Sequence, residues 1–112
     1  MQTLDDAIDD FLGLPDKRAA ISDAGLVALG RLTAVAQRDS GQSRVVGRFL
    51  LGLYNGRTYP FNLVELRGLD CQLFDDCLAV LRLDNEPAME VHEYLANGET
   101  IWSDLRQRWG LN

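Results

Sequence analysis

The stretch VVGRFLLGLY, Val45 to Tyr54, constrains the fold more than any other part of the chain. Its apolar residues come in adjacent pairs, so they do not alternate as a half-buried strand requires. At helical spacing they fall into register: Val45, Phe49 and Leu53 form one line, and Val46, Leu50 and Tyr54 lie beside it. Arg44 and Arg48, four apart, occupy another edge, which gives an amphipathic core helix with a basic rim. Ser40 or Gly41 opens it. Asn55-Gly56, a pair suited to left-handed backbone, closes it.

The same period organises the rest of the chain. Thr3 is placed to cap a short first helix carrying Leu4, Ala7, Ile8, Phe11 and Leu12, which Gly13 and Pro15 stop. Ser22 caps a second, with Leu26, Leu29, Leu32, Thr33 and Ala36 close to one stripe. Gly25 and Gly30 inside it each cost up to ~1 kcal/mol against alanine, so either this helix starts late or a neighbour approaches that face closely. Asn62 with Glu65 resembles a capping box for LVELRGL, and Asp70 can cap CQLFDDCLAVLRL. There Leu73, Cys77, Val80 and Leu81 line one side, with Phe74 and Leu78 adjacent and Asp75 and Asp76 outward. Pro87 suits the first position of a helix PAMEVHEYLAN ending at Gly98. A last helix, TIWSDLRQRWG, turns Ile101, Trp102, Leu105 and Trp109 inward. No repeat or linker divides residues 1–112, so the expectation is a single all-α domain, an irregular bundle of five or six short helices.

Composition narrows the function classes. At 112 residues, folding can bury roughly two thirds of the extended surface without staples. The apolar run from Phe49 to Tyr54 is far shorter than the ~20 residues of a membrane span. The N-terminus is acidic rather than basic, so the chain reads as cytoplasmic, with no signal peptide and no membrane contact. Cys71 and Cys77, six apart, point about 240° from each other on a helix and cannot bridge there, which makes them reduced structural thiols. One histidine, His92, and no CxxC leave zinc without its usual ligands. No cofactor is expected.

Catalysis finds little support. His92 has Glu90 and Glu93 beside it but no Ser or Cys at helical spacing. Asp5-Asp6, Asp9-Asp10 and Asp75-Asp76 are adjacent pairs about 100° apart on a helix, not facing dyads. GQSR, Gly41 to Arg44, offers a helix N-terminus with Ser43 and Arg44 to an anion, but it lacks the spacing of a P-loop. The reading is a non-enzyme.

Charge is segregated along the sequence. Residues 1–16 carry five acids and no base, residues 17–67 eight bases and three acids, and residues 68–99 eight acids and one base, within a net charge of −6. Either these blocks meet as ordinary surface pairs, or they form a dipolar surface that steers a charged partner. Tyr54, Tyr59 and Phe61 flank a loop with Arg57. Aromatic and arginine residues on a loop are the composition of an interface hot spot, so Arg44, Arg48, Tyr54, Arg57, Tyr59 and Phe61 are the candidate partner-binding residues.

The segments VAQRDSGQSRVVGRFLLGLYNG (35–56), FNLVELRGLD (61–70) and DDCLAVLRL (75–83) resemble an uncharacterised family of small bacterial proteins of the proteobacterial accessory genome. The resemblance covers Leu26 to Leu83. It implies a bacterial, cytoplasmic context and supplies no catalytic residue or cofactor. The resulting expectation is a protein-protein interaction or regulatory module with a protein partner, able to form a homodimer. Two alternatives stand beside it. One is an acidic nucleic-acid mimic using Asp5, Asp6, Asp9, Asp10 and the acids from Asp70 to Glu93. The other is a weak nucleic-acid binder through Arg44 and Arg48, a less favoured partner class because the chain lacks a basic surplus.

Overall fold

A computed structural model, which describes the backbone of residues 4–110 and the side chains of residues 17–110, contains four α-helices and two 3₁₀ turns. They are α1 (Leu4–Ala36), α2 (Gly41–Tyr54), a turn at Leu63–Gly68, α3 (Cys71–Asn85), a turn at Val91–Tyr94 and α4 (Gly98–Trp109). No strand occurs among the described residues, and the fold is all-α. It differs from a bundle of short helices in one respect: α1 alone has 33 residues.

That length corrects the expected break. The helix runs through Gly13 and Pro15, and Ser22 lies in its interior rather than at its start. An internal proline removes one backbone hydrogen bond and crowds the carbonyl four residues earlier, which weakens a helix without necessarily ending it. The expected Thr3 cap lies outside the described residues. From Arg18 onward α1 is clamped along α3, antiparallel to it. A Cβ on Gly25 would stand 2.6 Å from Leu83 Cβ, so this glycine permits the close approach of the two helices, whereas a Cβ on Gly30 would meet nothing within 4 Å.

Local signals set several boundaries as expected. Ser40 caps α2 by accepting from the Ser43 amide at 3.0 Å, and Asp70 caps α3 by accepting from the Leu73 amide at 2.8 Å. Others differ. Asn55 has φ −156° and no described residue has positive φ, because the Asn55 side chain closes the turn by accepting from the Thr58 amide at 3.1 Å. Asn62 caps Val64, but Glu65 pairs with Arg44 instead of completing a capping box. The reciprocal box forms at Glu90 and Glu93, where it nucleates a short 3₁₀ turn in place of the expected helix from Pro87. Gly98 is therefore not the end of a helix but the first residue of α4.

The core joins all four helices. Ala28, Leu29, Leu32 and Ala36 of α1 meet Val46, Phe49, Leu50 and Leu51 of α2, Leu73, Cys77 and Val80 of α3, and Ile101, Trp102 and Leu105 of α4. Leu26, expected on the α1 core stripe, is exposed; Gly25 and Ala28 occupy that face. Trp109 lays its indole Cδ1 where a Cβ on Gly47 would stand, and donates its Nε1–H to the Ala36 carbonyl at 2.7 Å. The segment Lys17–Ala36 is long and apolar enough to cross a membrane by length and composition. In this fold its Leu29, Leu32 and Ala36 side is core.

Candidate interaction surface

Of the six residues singled out by sequence, Arg48 and Tyr59 share one small hollow, and Arg44, Tyr54 and Phe61 each have a neighbour of their own. Arg44 pairs with Glu65 at 3.1 Å across α2 and the first 3₁₀ turn. Tyr54 packs edge-on to His92 with ring centres 5.1 Å apart, and the Arg106 guanidinium covers it at 5.5 Å. Phe61 meets Phe49 edge-on at 5.7 Å. Tyr59 lines a small hollow with Arg48, Leu51, Pro60, Trp109 and Gly110. All three aromatic rings are half-buried against the core, and Arg57 stands exposed at the loop tip.

An exposed apolar stripe lies elsewhere, on α3 and along its seam with α1. The stripe Phe74, Leu78 and Leu81 follows spacings of four and three and stays open, with Leu78 41% exposed. Sequence periodicity counted Leu81 as inward. The structure turns it out because Leu73, Cys77, Val80 and Leu83 already fill the inner face. Beside the stripe, Ile21, Leu78, Leu81, Lys17, Arg18, Arg82, Asn85 and Glu86 line a cleft of about 580 Å³. It continues into a hollow of about 370 Å³ between Ala20, Ile21, Ala24, Leu78 and Ala79. Arg18 forms one end by donating to the carbonyls of Leu83 at 3.2 Å and Glu86 at 2.6 Å, which satisfies the last turn of α3. Both signs occur on the rim: Arg18 faces Glu86 at 4.0 Å, and Asp75 lines the hollow.

Asp76 corrects a second sequence expectation. It is 2% exposed rather than outward, and Arg31 grips it with two charge-assisted hydrogen bonds while Gln72 adds a third at 3.0 Å. The hydrogen bond and charge of Asp76 raise the Arg31 pKa further. Burial, with Asp76 beside it, pushes the Cys77 thiol up to about 12, so the thiol stays protonated and unreactive. Cys71 is exposed and free. The segregated charges thus meet in part, through Arg31–Asp76 and Arg18–Glu86.

His92 Nε2 lies 3.2 Å from the Glu99 carboxylate, which can only accept from it, while its buried Nδ1 has no partner among the described residues. Its ring sits between Tyr54 and Trp102. Among the described residues, no three His, Cys, Asp or Glu side chains group as a metal set.

The chain belongs to a family of unknown function, DUF7673, whose model matches residues 26–110. The match begins inside α1 and takes in all of α2, α3 and α4. No curated protein and no solved structure matches the chain.

Proposed function

We propose that this chain is a non-enzymatic protein-interaction or regulatory module, and that it docks its partner along the α1/α3 cleft. The observation that carries the reading is the open Phe74, Leu78 and Leu81 stripe beside Ile21. A surface of this kind, apolar at its centre and rimmed by Lys17, Arg18 and Arg82 together with Glu86 and Asp75, fits an amphipathic helix with flanks of both charges. The cleft supports the reading better than the Tyr54–Phe61 loop, whose aromatic rings already contribute to the chain's own packing. The proposed setting is a bacterial cytoplasm among accessory-genome proteins, a part of the reading that rests on the resemblance of residues 35–83.

The test is a nuclease-treated pull-down with the full chain, Leu78→Glu, and the pair Arg57→Ala with Tyr59→Ala. A protein partner recovered by the full chain and by the loop pair but lost by Leu78→Glu is the expected result. Loss with the loop pair alone would move the contact to Tyr54–Phe61. Recovery that nuclease abolishes, with nucleic acid bound directly by the purified chain, would sink the module reading.

A further inference from the structure

The outer face of the α1/α3 pair sets an apolar ridge beside a groove. The ridge is Phe74, Leu78 and Leu81 of α3, all exposed. The groove is the hollow of about 370 Å³ between the two helices, walled on the α1 side by Ala20, Ile21 and Ala24. Small residues keep that wall low, and Val27 continues the exposed line of Ala20 and Ala24 at helical spacing. Helices pack by setting the ridge of one into the groove of another. A face that carries both halves can therefore receive a second copy of itself across a twofold axis.

The charges on this face are arranged for the same symmetry. Asp75 and Arg82 both line the hollow, on the groove side of the ridge, and both are exposed. Among the described residues neither side chain has an ion-pair partner, whereas Arg18 faces Glu86 and Lys17 is also engaged. Seven residues separate Asp75 from Arg82, so they share one edge of α3 about 10 Å apart along its axis, beyond the reach of a direct pair. An antiparallel copy of α3 matches them: about an axis between Leu78 and Ala79, Arg82 of one helix comes level with Asp75 of the other, and the reverse. A parallel copy would set like charges side by side.

We propose that this chain forms a twofold dimer in which α3 of each copy lies antiparallel to α3 of the other, seated in the other's α1/α3 groove, with Asp75 paired to Arg82 on both sides of the axis. This rests on the cleft being a docking surface and names its occupant, an amphipathic helix with flanks of both charges. Phe74 and Leu78 of each copy then cover the low wall of the other's α1, so large side chains meet small ones. Because the axis uses every contact twice, one stripe and one pair of charges specify the whole interface.

Light scattering on the full chain tests the proposal. The expected mass is twice 12.5 kDa above a dissociation constant on the order of micromolar, with dissociation promoted by salt. Asp75→Arg and Arg82→Asp each oppose like charges twice and raise that constant about tenfold or more. Mixing the two variants restores the dimer, since each new charge then meets its opposite, and the double exchange in one chain dimerises by itself. Leu78→Glu, which places a charge in the apolar centre, raises the constant about a hundredfold. Circular dichroism confirms that the variants fold, with Asp75→Asn and Arg82→Gln as substitutes for a charge variant that does not. A full chain that stays at 12.5 kDa at every concentration overturns the dimer, and the cleft reading then stands or falls on whether Leu78→Glu loses a protein partner in the pull-down. A dimer weakened by Leu78→Glu but indifferent to both charge variants overturns the antiparallel pairing and keeps the cleft as the docking surface. A dimer indifferent to all three variants lies elsewhere on the molecule and overturns the proposal.

Discussion

Arg31 holds the buried carboxylate of Asp76 through two parallel hydrogen bonds, Nε to Oδ2 at 2.9 Å and Nη2 to Oδ1 at 2.7 Å. The two ends of the pair differ: the arginine side chain is 51% exposed and the aspartate side chain 3%. Arg31→Ala therefore strands a charge that water cannot reach, whereas Asp76→Ala leaves an arginine that water can solvate. In urea denaturation Arg31→Ala is the more destabilising of the two. Arg31→Met with Asp76→Leu recovers most of the loss, because a pair of apolar side chains removes the stranded charge. Equal losses for both single variants would contradict this account.

Glycine substitutions separate by what a Cβ would meet. Gly30→Ala enters open space on an exposed helical position and stabilises by up to ~1 kcal/mol. Gly98→Ala places its Cβ against the His92 carbonyl and costs about 3 kcal/mol, because the backbone of the second 3₁₀ turn must move. Thermal melts of the two variants should shift in opposite directions.

Asp84 gives a pH dependence of known sign. Burial, and then the charge of Glu90, raise its pKa above the ordinary carboxylate range. A folded-state pKa above the unfolded one means that the fold favours the protonated form. Its contribution is present below the unfolded pKa and is lost as pH rises through the folded value. Asp84→Asn, which stays neutral, raises the melting temperature at neutral pH, and the gain vanishes in acid below the ordinary aspartate range. A gain that persists unchanged in acid would assign the effect to packing instead.

The two thiols report folding separately. Cys71 is exposed and reacts promptly with a thiol reagent, while Cys77 is buried and protonated. Native protein takes up one equivalent quickly and the second only with unfolding. Fast labelling of both would mean that α3 opens readily from the core.

What the sequence disclosed is mostly local. Ser40 and Asp70 were legible as caps because the amides they bind lie three residues away, and the lines Val46–Leu50 and Ile101–Leu105 were legible because one helix face repeats. Asp76 was not, since its partner Arg31 is 45 positions distant and nothing in DDC marks which aspartate turns inward. Gly98 looked like a helix end because glycine commonly follows one; the His92 carbonyl that excludes a side chain there is six residues earlier, but only the 3₁₀ turn between them brings it close. The break expected at Gly13–Pro15 rested on propensity, which continuous helix overrides. As for the cleft, DDCLAVLRL shows that Phe74, Leu78 and Leu81 lie together, but only the position of α1 reveals that they stay uncovered.

The indole of Trp109 bonds a carbonyl 73 positions earlier, at the end of the first helix. That bond spans most of the polypeptide, so α1 keeps an unsatisfied C-terminal turn, and Gly47 an unfilled notch, until the last helix arrives. Completion of this core must then wait until Trp109 has left the ribosome, and nascent chains cut short before Trp109 should remain open to proteases that chains containing it resist.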